Sequence, residues 1–444
     1  MQGKRDFTEN GMMLLPSLEE YVPADHPLQK LDRVLDLSFV HEYVREKYCQ
    51  NNGRPSIDPE VVIRLFLLQA VENIPSVRKL LRDVHVNMAY RLFIGYRPDE
   101  KVPDHSTLSR ALDRFGDEVF DHLFKETVAR CQDSGLLEGN VLYLDATAIR
   151  ADLAREQIAK PNRSDKDARF GRFPDGKIKP GYKQHTIADG KRRVIMGLTV
   201  TPANVHDGSD ISTLVDDVID RLGIVPEAVC ADTAYGSGKN CSELEDRCVR
   251  LVSPPQKVSG STEYFTVEDF VYDESEDVFT CPAGNRLSPV GYDSTQPHRK
   301  KYRARRSECS ICKMKPRCTR SSRREVKVTI YHGSLLRLRK DSQTKSFKRL
   351  YRRRAPVIEG VFAEAKQWHG LGRAWRHGLL KMRIQSLLIA SVMNYKRLAA
   401  LCRLLLHVKQ WCERPFENIR CNLSELLTYF QLQAQMDSHK LARE

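Results

Sequence analysis

Apolar positions recur at helical spacing from about residue 17 to residue 135. "SIDPEVVIRLFLLQAV" offers Ser56 or Asp58 as an N-cap and Pro59 at the first helical position, then apolar residues on a helical period. "PSVRKLLRDVHV" and "DHSTLSRALDRFGDEVFDHLFKETVARC" extend that pattern across short Asn- or Pro-marked breaks. In the latter, Asp104 or Ser106 can cap a helix whose first turns hold Ser106, Thr107 and Arg110. A polar, basic helix start of this kind resembles a DNA-recognition helix; the plainer alternative is the solvated face of a bundle.

The period changes near residue 140. "VLYLDA", "GYKQHTIAD", "RRVIMGLTVTPAN" and "EAVCADTAYG" are rich in Val, Ile, Thr and Tyr and bounded by turn residues, so they predict strands. "GSDISTLVDDVIDRLG" predicts an amphipathic helix ending at Gly223. Strand, helix and strand in this order predict a mixed α/β sheet. Residues 255 to 330 break the regularity with Ser, Pro, Gly and four cysteines and read as an insertion poor in apolar residues. Helix resumes at "APVIEGVFAEAKQWHGL" and runs on through "LLKMRIQSLLIASVMNYKRLAALCRLLLHV".

The expected organisation is therefore an N-terminal all-α, DNA-binding domain (1–135) and the first part of an α/β core (136–254). A basic, cysteine-bearing insertion (255–340), the second part of the core (341–400) and a helical tail (401–444) follow. No apolar run approaches the ~18 residues that span a membrane. "MQGKRDFTENGMM" lacks the apolar core of a signal peptide, so a cytoplasmic protein is expected. In that compartment most of the 12 cysteines read as small buried residues rather than a disulfide framework.

Charge sharpens this picture. Between Arg299 and Arg354 there are 22 Lys or Arg against three acids (Glu308, Glu325, Asp341), a balance of +19. The whole chain carries +14, so the remainder is mildly acidic at −5. A concentrated basic block beside structured motifs points to a polyanion, with Arg303, Arg305 and Arg306 as candidate phosphate contacts.

The chemistry begins where two apolar strands run into aspartate: "VLYLD" at Asp145 and "AVCAD" at Asp232. An α/β sheet places its site at the carboxyl ends of its strands, and two carboxylates held close there need a cation or a shared proton. Their hard oxygens suit Mg²⁺, and a pair of such ions ~4 Å apart can activate both oxygens of a phosphodiester exchange. "VIEGVFAEAKQWHGL" supplies a third acid, Glu359, with Lys366 two turns on along the same helical face. Lys183 and His185 of "YKQH", and His206 and Asp207 of "ANVHD", fall on adjoining strands near this site. Cys309 and Cys312, spaced as in a zinc knuckle, could close a four-thiolate zinc site with Cys318 and Cys281, or all four could remain reduced thiols. His298 or His332 could replace Cys281.

Taken in order, "VPADHPLQKLD", "GRPSIDPEVVIRLFLLQ", "DHSTLSR", "LDATAIRA", "GYKQHTIAD", "VTPANVHD", "ADTAYGS", "CPAG", "IEGVFAEAK" and "HGLGRAWRHG" resemble the bacterial insertion-sequence DDE transposases. The branch resembled has an N-terminal helical domain and a cysteine-bearing insertion. The resemblance implies a ribonuclease-H-like core with Asp145, Asp232 and Glu359 as the Mg²⁺-binding catalytic triad, Mn²⁺ being able to substitute. It places Tyr235 beside Asp232, and Tyr351, Arg353 or Arg354 and Lys366 around Glu359, as DNA contacts. One departure stands out: Arg354 lies five residues before Glu359, where relatives place an arginine four before. Glu364 is accordingly a rival to Glu359. The partners implied are the inverted-repeat ends of a mobile element and its target DNA, bound by a homo-oligomer, expected to be a dimer, near the nucleoid. Alternatives are an inactive repressor descended from such an enzyme, or a metal-dependent nuclease that does not join strands.

Overall fold

Helices α1 (Leu18–Tyr21), α2 (Pro27–Asp32), α3 (Val40–Val44), α4 (Pro59–Val71), α5 (Val77–Val86), α6 (Met88–Ile94), α7 (His105–Phe115) and α8 (Glu118–Asp133) fill the N-terminal third. Their starts are set by local chemistry. Asp58 caps α4, its carboxylate accepting the Glu60 N–H at 2.7 Å, with Pro59 next in line. Asp104 caps α7 through the Ser106 N–H at 2.8 Å, so in both places aspartate takes the role that serine also offered. Helix α4 buries residues on nearly every side, from Val62 through Ala70, and is the axle of this bundle.

The computed structural model describes residues 17–48, 56–153, 165–209, 211–256 and 263–412, with side chains to 402. The N-terminal stretch read for a leader and the tail beyond 412 lie outside the described residues. The chain divides into compact units at Met1–Ala399 and Ala400–Glu444. Among the described residues no helix is long and apolar enough to cross a membrane.

Six strands build the main sheet: β1 (Val141–Arg150), β2 (Arg169–Arg172), β3 (Ile178–Asp189), β4 (Ile195–Pro202), β5 (Ala228–Cys230) and β6 (Arg250–Val252). The order is β2-β3-β1-β5-β6, with β4 also paired to β3. Strand β3 is antiparallel to both β1 and β4, whereas β1, β5 and β6 run parallel. Helices α9 (Ile211–Leu222) and α10 (Gly238–Glu245) make the crossovers. This is the ribonuclease-H-like arrangement. One local expectation changes. Strand β1 does not stop at Asp145 but continues to Arg150, because β3 keeps pairing with it after β5 has left.

The segment expected to be an apolar-poor insertion is a second sheet with a core of its own. Its strands β7 (Val271–Asp273), β8 (Val278–Thr280), β9 (Arg286–Tyr292), β10 (Arg299–Ala304) and β11 (Glu325–Thr329) form an antiparallel meander. Short helices α11 (Arg306–Ser310) and α12 (Lys315–Cys318) link the last two strands. Phe270, Phe279, Leu287, Tyr302, Val326 and Val328 pack together, with Cys309 buried among them. The apolar residues are few, but alternation on short strands puts them on one face.

Helices α13 (His332–Ser342), α14 (Lys345–Arg352), α15 (Arg354–Trp368) and α16 (Leu379–Cys412) close the chain. Asn394 of α16 is buried and fully engaged. Its amide exchanges hydrogen bonds with the backbone of Ile195 (3.0 and 2.9 Å) and donates to Thr127 Oγ1 (3.2 Å), tying α16 to β4 and α8.

Candidate active site

Parallel register sets two of the predicted acids side by side. Tyr143 pairs with Cys230 at the end of the β1–β5 ladder, and Asp145 and Asp232 each lie two residues beyond that pair. Neighbouring strands are ~4.8 Å apart, so the two carboxylates flank one small volume. Asp145 accepts the Ala146 N–H through Oδ1 (2.8 Å) and Arg354 Nη1 through Oδ2 (2.8 Å). Asp232 caps the turn Thr233–Tyr235, with Oδ1 accepting the Ala234 N–H at 3.0 Å.

Both acids are held above the ordinary aspartate range. Burial is the largest cause for Asp145; Arg354 opposes it and the charge of Asp232 adds to it. Burial also leads for Asp232, opposed by the Ala234 N–H and Arg354 and reinforced by Asp207. Burial works against Arg354 too, yet Asp145 leaves its pKa raised. The pocket is thus short of positive charge, which one guanidinium only partly supplies.

Helix α15 packs across β1 and carries the third acid. Glu359 is exposed, on the same face as Lys366. Burial lowers the Lys366 pKa, and no hydrogen bond or ion pair holds its ammonium among the described residues. It borders a cleft of ≈ 330 Å³ with Asn73, Asp152, Arg373 and Trp375. Glu364, the rival, is committed elsewhere: it binds Lys396 (3.1 Å) and Arg397 (2.9 Å) of α16. Among the described residues, no three His, Cys, Asp or Glu side chains stand at metal-holding separations. Asp145 and Asp232 come together, and Glu359 stands on the adjoining helix.

The neighbours fall into two groups. Tyr235 and His185 are each 1 % exposed and hydrogen-bonded (Oη to Nδ1, 3.3 Å), and His185 Nε2 reaches Thr201 Oγ1 at 3.0 Å. They brace the Asp232 turn from behind. Lys183 is paired with Asp207 at 2.6 Å. Gly208, next in sequence, packs so tightly on the Ala234 carbonyl that a Cβ would approach to 2.5 Å, and Asn240 bridges the two turns. Tyr351, Arg353, Ser106, Thr107 and Arg110 are at or near the surface, and Arg354 lies over the Tyr351 ring at 5.7 Å. Of the basic trio, Arg305 and Arg306 are exposed, while Arg303 is engaged by Glu325 at 2.5 Å.

Two family models match this chain. One, a transposase domain (DUF772), covers residues 16–114; the other, a transposase DDE domain, covers residues 280–399 and so includes β9, β10 and β11 of the second sheet and the α15 acid. The chain thus carries two stretches that match transposase domains, the second of them a DDE domain. A cryo-EM structure of a piggyBac transposase synaptic complex with hairpin DNA is similar at 11% identity and a TM-score of 0.32, over 88% of this chain and 80% of that one. That likeness is too slight to carry weight. No curated protein matches significantly.

The second sheet brings Cys281, Cys309 and Cys318 to one core. Cys281 opens a turn in which Gly284, at φ +82, donates to the Cys281 carbonyl (2.8 Å) and Asn285 N–H donates to its sulfur (3.3 Å). Burial raises the Cys318 thiol; Arg324 opposes, and Cys281, Cys309 and Cys312 raise it further. All four are free thiols.

Proposed function

We propose that this protein is a DDE transposase that cuts DNA at the inverted-repeat ends of an insertion sequence and joins those ends to target DNA. The observation that carries the reading is the pair of half-buried carboxylates, Asp145 and Asp232, abreast two residues beyond the end of the parallel β1–β5 ladder with raised pKa values. Hard oxygen donors short of positive charge fit Mg²⁺, with Mn²⁺ able to substitute. Asp145, Asp232 and Glu359 would hold two such ions, which when bound supply Lewis-acid activation of the attacking and leaving oxygens of a phosphodiester.

The chain's own residues do the rest. Lys366, half-buried and lacking an anion among the described residues, is placed to take a phosphate oxygen beside Glu359. Tyr235 and His185 hold the Asp232 turn rigid, so that the carboxylate meets its ligand preorganised. Water serves as nucleophile for the cut and a DNA 3′-hydroxyl for the joining, with no covalent protein intermediate. Ser106, Thr107 and Arg110 on α7, with Arg305 and Arg306 in the second sheet, would add DNA contacts. The protein would work as a dimer on DNA in the bacterial cytoplasm. Zn²⁺ at Cys281, Cys309, Cys312 and Cys318 would fasten the second sheet.

The test is incubation of the purified protein with a duplex bearing the repeats that flank its gene, a target plasmid and Mg²⁺. Cleavage at the repeat ends followed by joining is expected. Cleavage without joining would make it a nuclease, and binding without cleavage a repressor.

A further inference from the structure

The basic block between Arg299 and Arg354 separates, in three dimensions, into spent and unspent charge. In and beside the second sheet many of the cations have acid partners: Lys327 meets Asp293 at 2.7 Å and Arg303 meets Glu325. Lys300 pairs with Asp277, Arg337 with Glu245 and Glu274, and Arg339 with Glu268. Helix α14 differs. Its sequence, "KSFKRLYR", has no acid, and Lys345, Lys348, Arg349 and Arg352 are all exposed. None of these four has an ion pair or side-chain hydrogen bond among the described residues.

Their spacing is i, i+3, i+4 and i+7, which puts four charges on one helical face. The opposite face is already used: Phe347 is buried, and Leu350 and Tyr351 lie half-buried beside it. An amphipathic membrane anchor needs its apolar face free, so this helix is not one. Like charges three and four residues apart repel and weaken a helix, and a polyanion on that face would relieve the repulsion. The stripe also has a direction. It runs through Arg353 into α15, whose Arg354 binds Asp145.

We propose that the Lys345–Lys348–Arg349–Arg352 face of α14 is a track for the phosphate backbone of the DNA strand approaching Asp145 and Asp232. At 1.5 Å per residue the stripe is ~10 Å long. One DNA strand carries a charge every ~3.4 Å of axis, so about three phosphates fit. The inference rests on the functional reading above, but it concerns the surface rather than the chemistry.

Salt dependence tests it. Binding of the full chain to a fluorescein-labelled duplex of arbitrary sequence is measured by anisotropy across a salt series, without divalent metal. Each lost phosphate contact flattens the plot of log affinity against log salt by about 0.9. Lys348→Gln/Arg349→Gln/Arg352→Gln should therefore flatten it by about 2.7, and Lys348→Gln alone by about 0.9. Glutamine keeps good helix propensity, and the single variant covers any loss of folding in the triple. Arg339→Gln, whose cation Glu268 holds, should leave the slope as it is. An unchanged slope in the α14 variants, or a slope that falls only in Arg339→Gln, overturns the track. Mg²⁺-dependent cleavage by the wild-type chain is scored separately, so failure of the track and failure of the catalytic reading are told apart.

Discussion

Arg354 Nη1 donates to Asp145 Oδ2 at 2.8 Å, joining the first residue of α15 to the middle of β1. Both side chains are mostly buried, 14 % and 20 % exposed. The guanidinium is also within electrostatic reach of Asp232. In the metal-free protein it is the main positive charge for two carboxylates that need more.

That relationship predicts the behaviour of Arg354→Gln. Losing the cation leaves two buried acids facing each other, and breaking a buried pair costs about 3–5 kcal/mol; partial solvent access reduces this to roughly 1–3. The variant's Tm in EDTA should fall. Mn²⁺ or Mg²⁺ should raise that Tm by more than it raises the wild-type Tm, because the cation no longer competes with the guanidinium. Equal metal-induced shifts in both proteins would show that Arg354 has no such part.

The acids themselves should separate by role. Asp145→Asn, Asp232→Asn and Glu359→Gln are expected to abolish Mg²⁺-dependent cleavage while DNA binding in a gel-shift assay persists. Retained cleavage in any one of them removes that residue from the triad. Glu364→Gln should keep the chemistry but lose roughly 1–3 kcal/mol of stability, since Lys396 and Arg397 then lie unpaired beside it. Thermal unfolding reads that loss.

Much of this was legible in the sequence, for definable reasons. Apolar runs ending on Asp145 and Asp232 stand out because a carboxylate after a buried strand is costly, and helical spacing put Glu359 and Lys366 on one face. What escaped depends on contacts distant in sequence. That β1 outruns Asp145 follows from its pairing with β3, and that Glu364 is spoken for follows from α16. Arg303 read like its neighbours until β11 brought Glu325 across from it. The core of the second sheet was missed because its apolar residues are scattered over five short strands, with no run dense enough to notice.

Asn394 should be more important than its type suggests. It satisfies both the N–H and the C=O of Ile195 at the start of β4, and no water can replace it in a fully buried place. Asn394→Leu would leave those two groups without their partner, at about 1–3 kcal/mol per buried group, while Thr127 Oγ1 keeps its bond to the Phe124 carbonyl. Denaturant unfolding should show a lower midpoint, and amide exchange at Ile195 should accelerate. A midpoint within about 0.5 kcal/mol of the wild type would mean the helix shifts to compensate.

Zinc is the remaining question for the second sheet. A structural site needs thiolates at about 2.3 Å in a closed tetrahedron, and its binding energy adds to folding. Cys281 and Cys318 pack against the core that buries Cys309, and Cys318 feels the charge of the other three thiols. Among the described residues no three of them stand at metal-holding separations, so zinc would have to draw them together. The protein expressed in zinc-supplemented medium should carry close to one zinc per chain by elemental analysis. Cys312→Ser is the cleanest variant, because Cys312 is only half-buried, whereas Cys309 also fills the core and its loss would confound packing with metal. Cys312→Ser should shed the metal and open the loop between β10 and β11 to protease, leaving Mg²⁺-dependent cleavage measurable. Because the sheet has its own buried core of Phe279, Leu287, Tyr302 and Val326, metal loss should loosen this loop rather than unfold the module. Metal-free wild-type protein with a protease-resistant loop would instead establish these four residues as reduced thiols packed against that core.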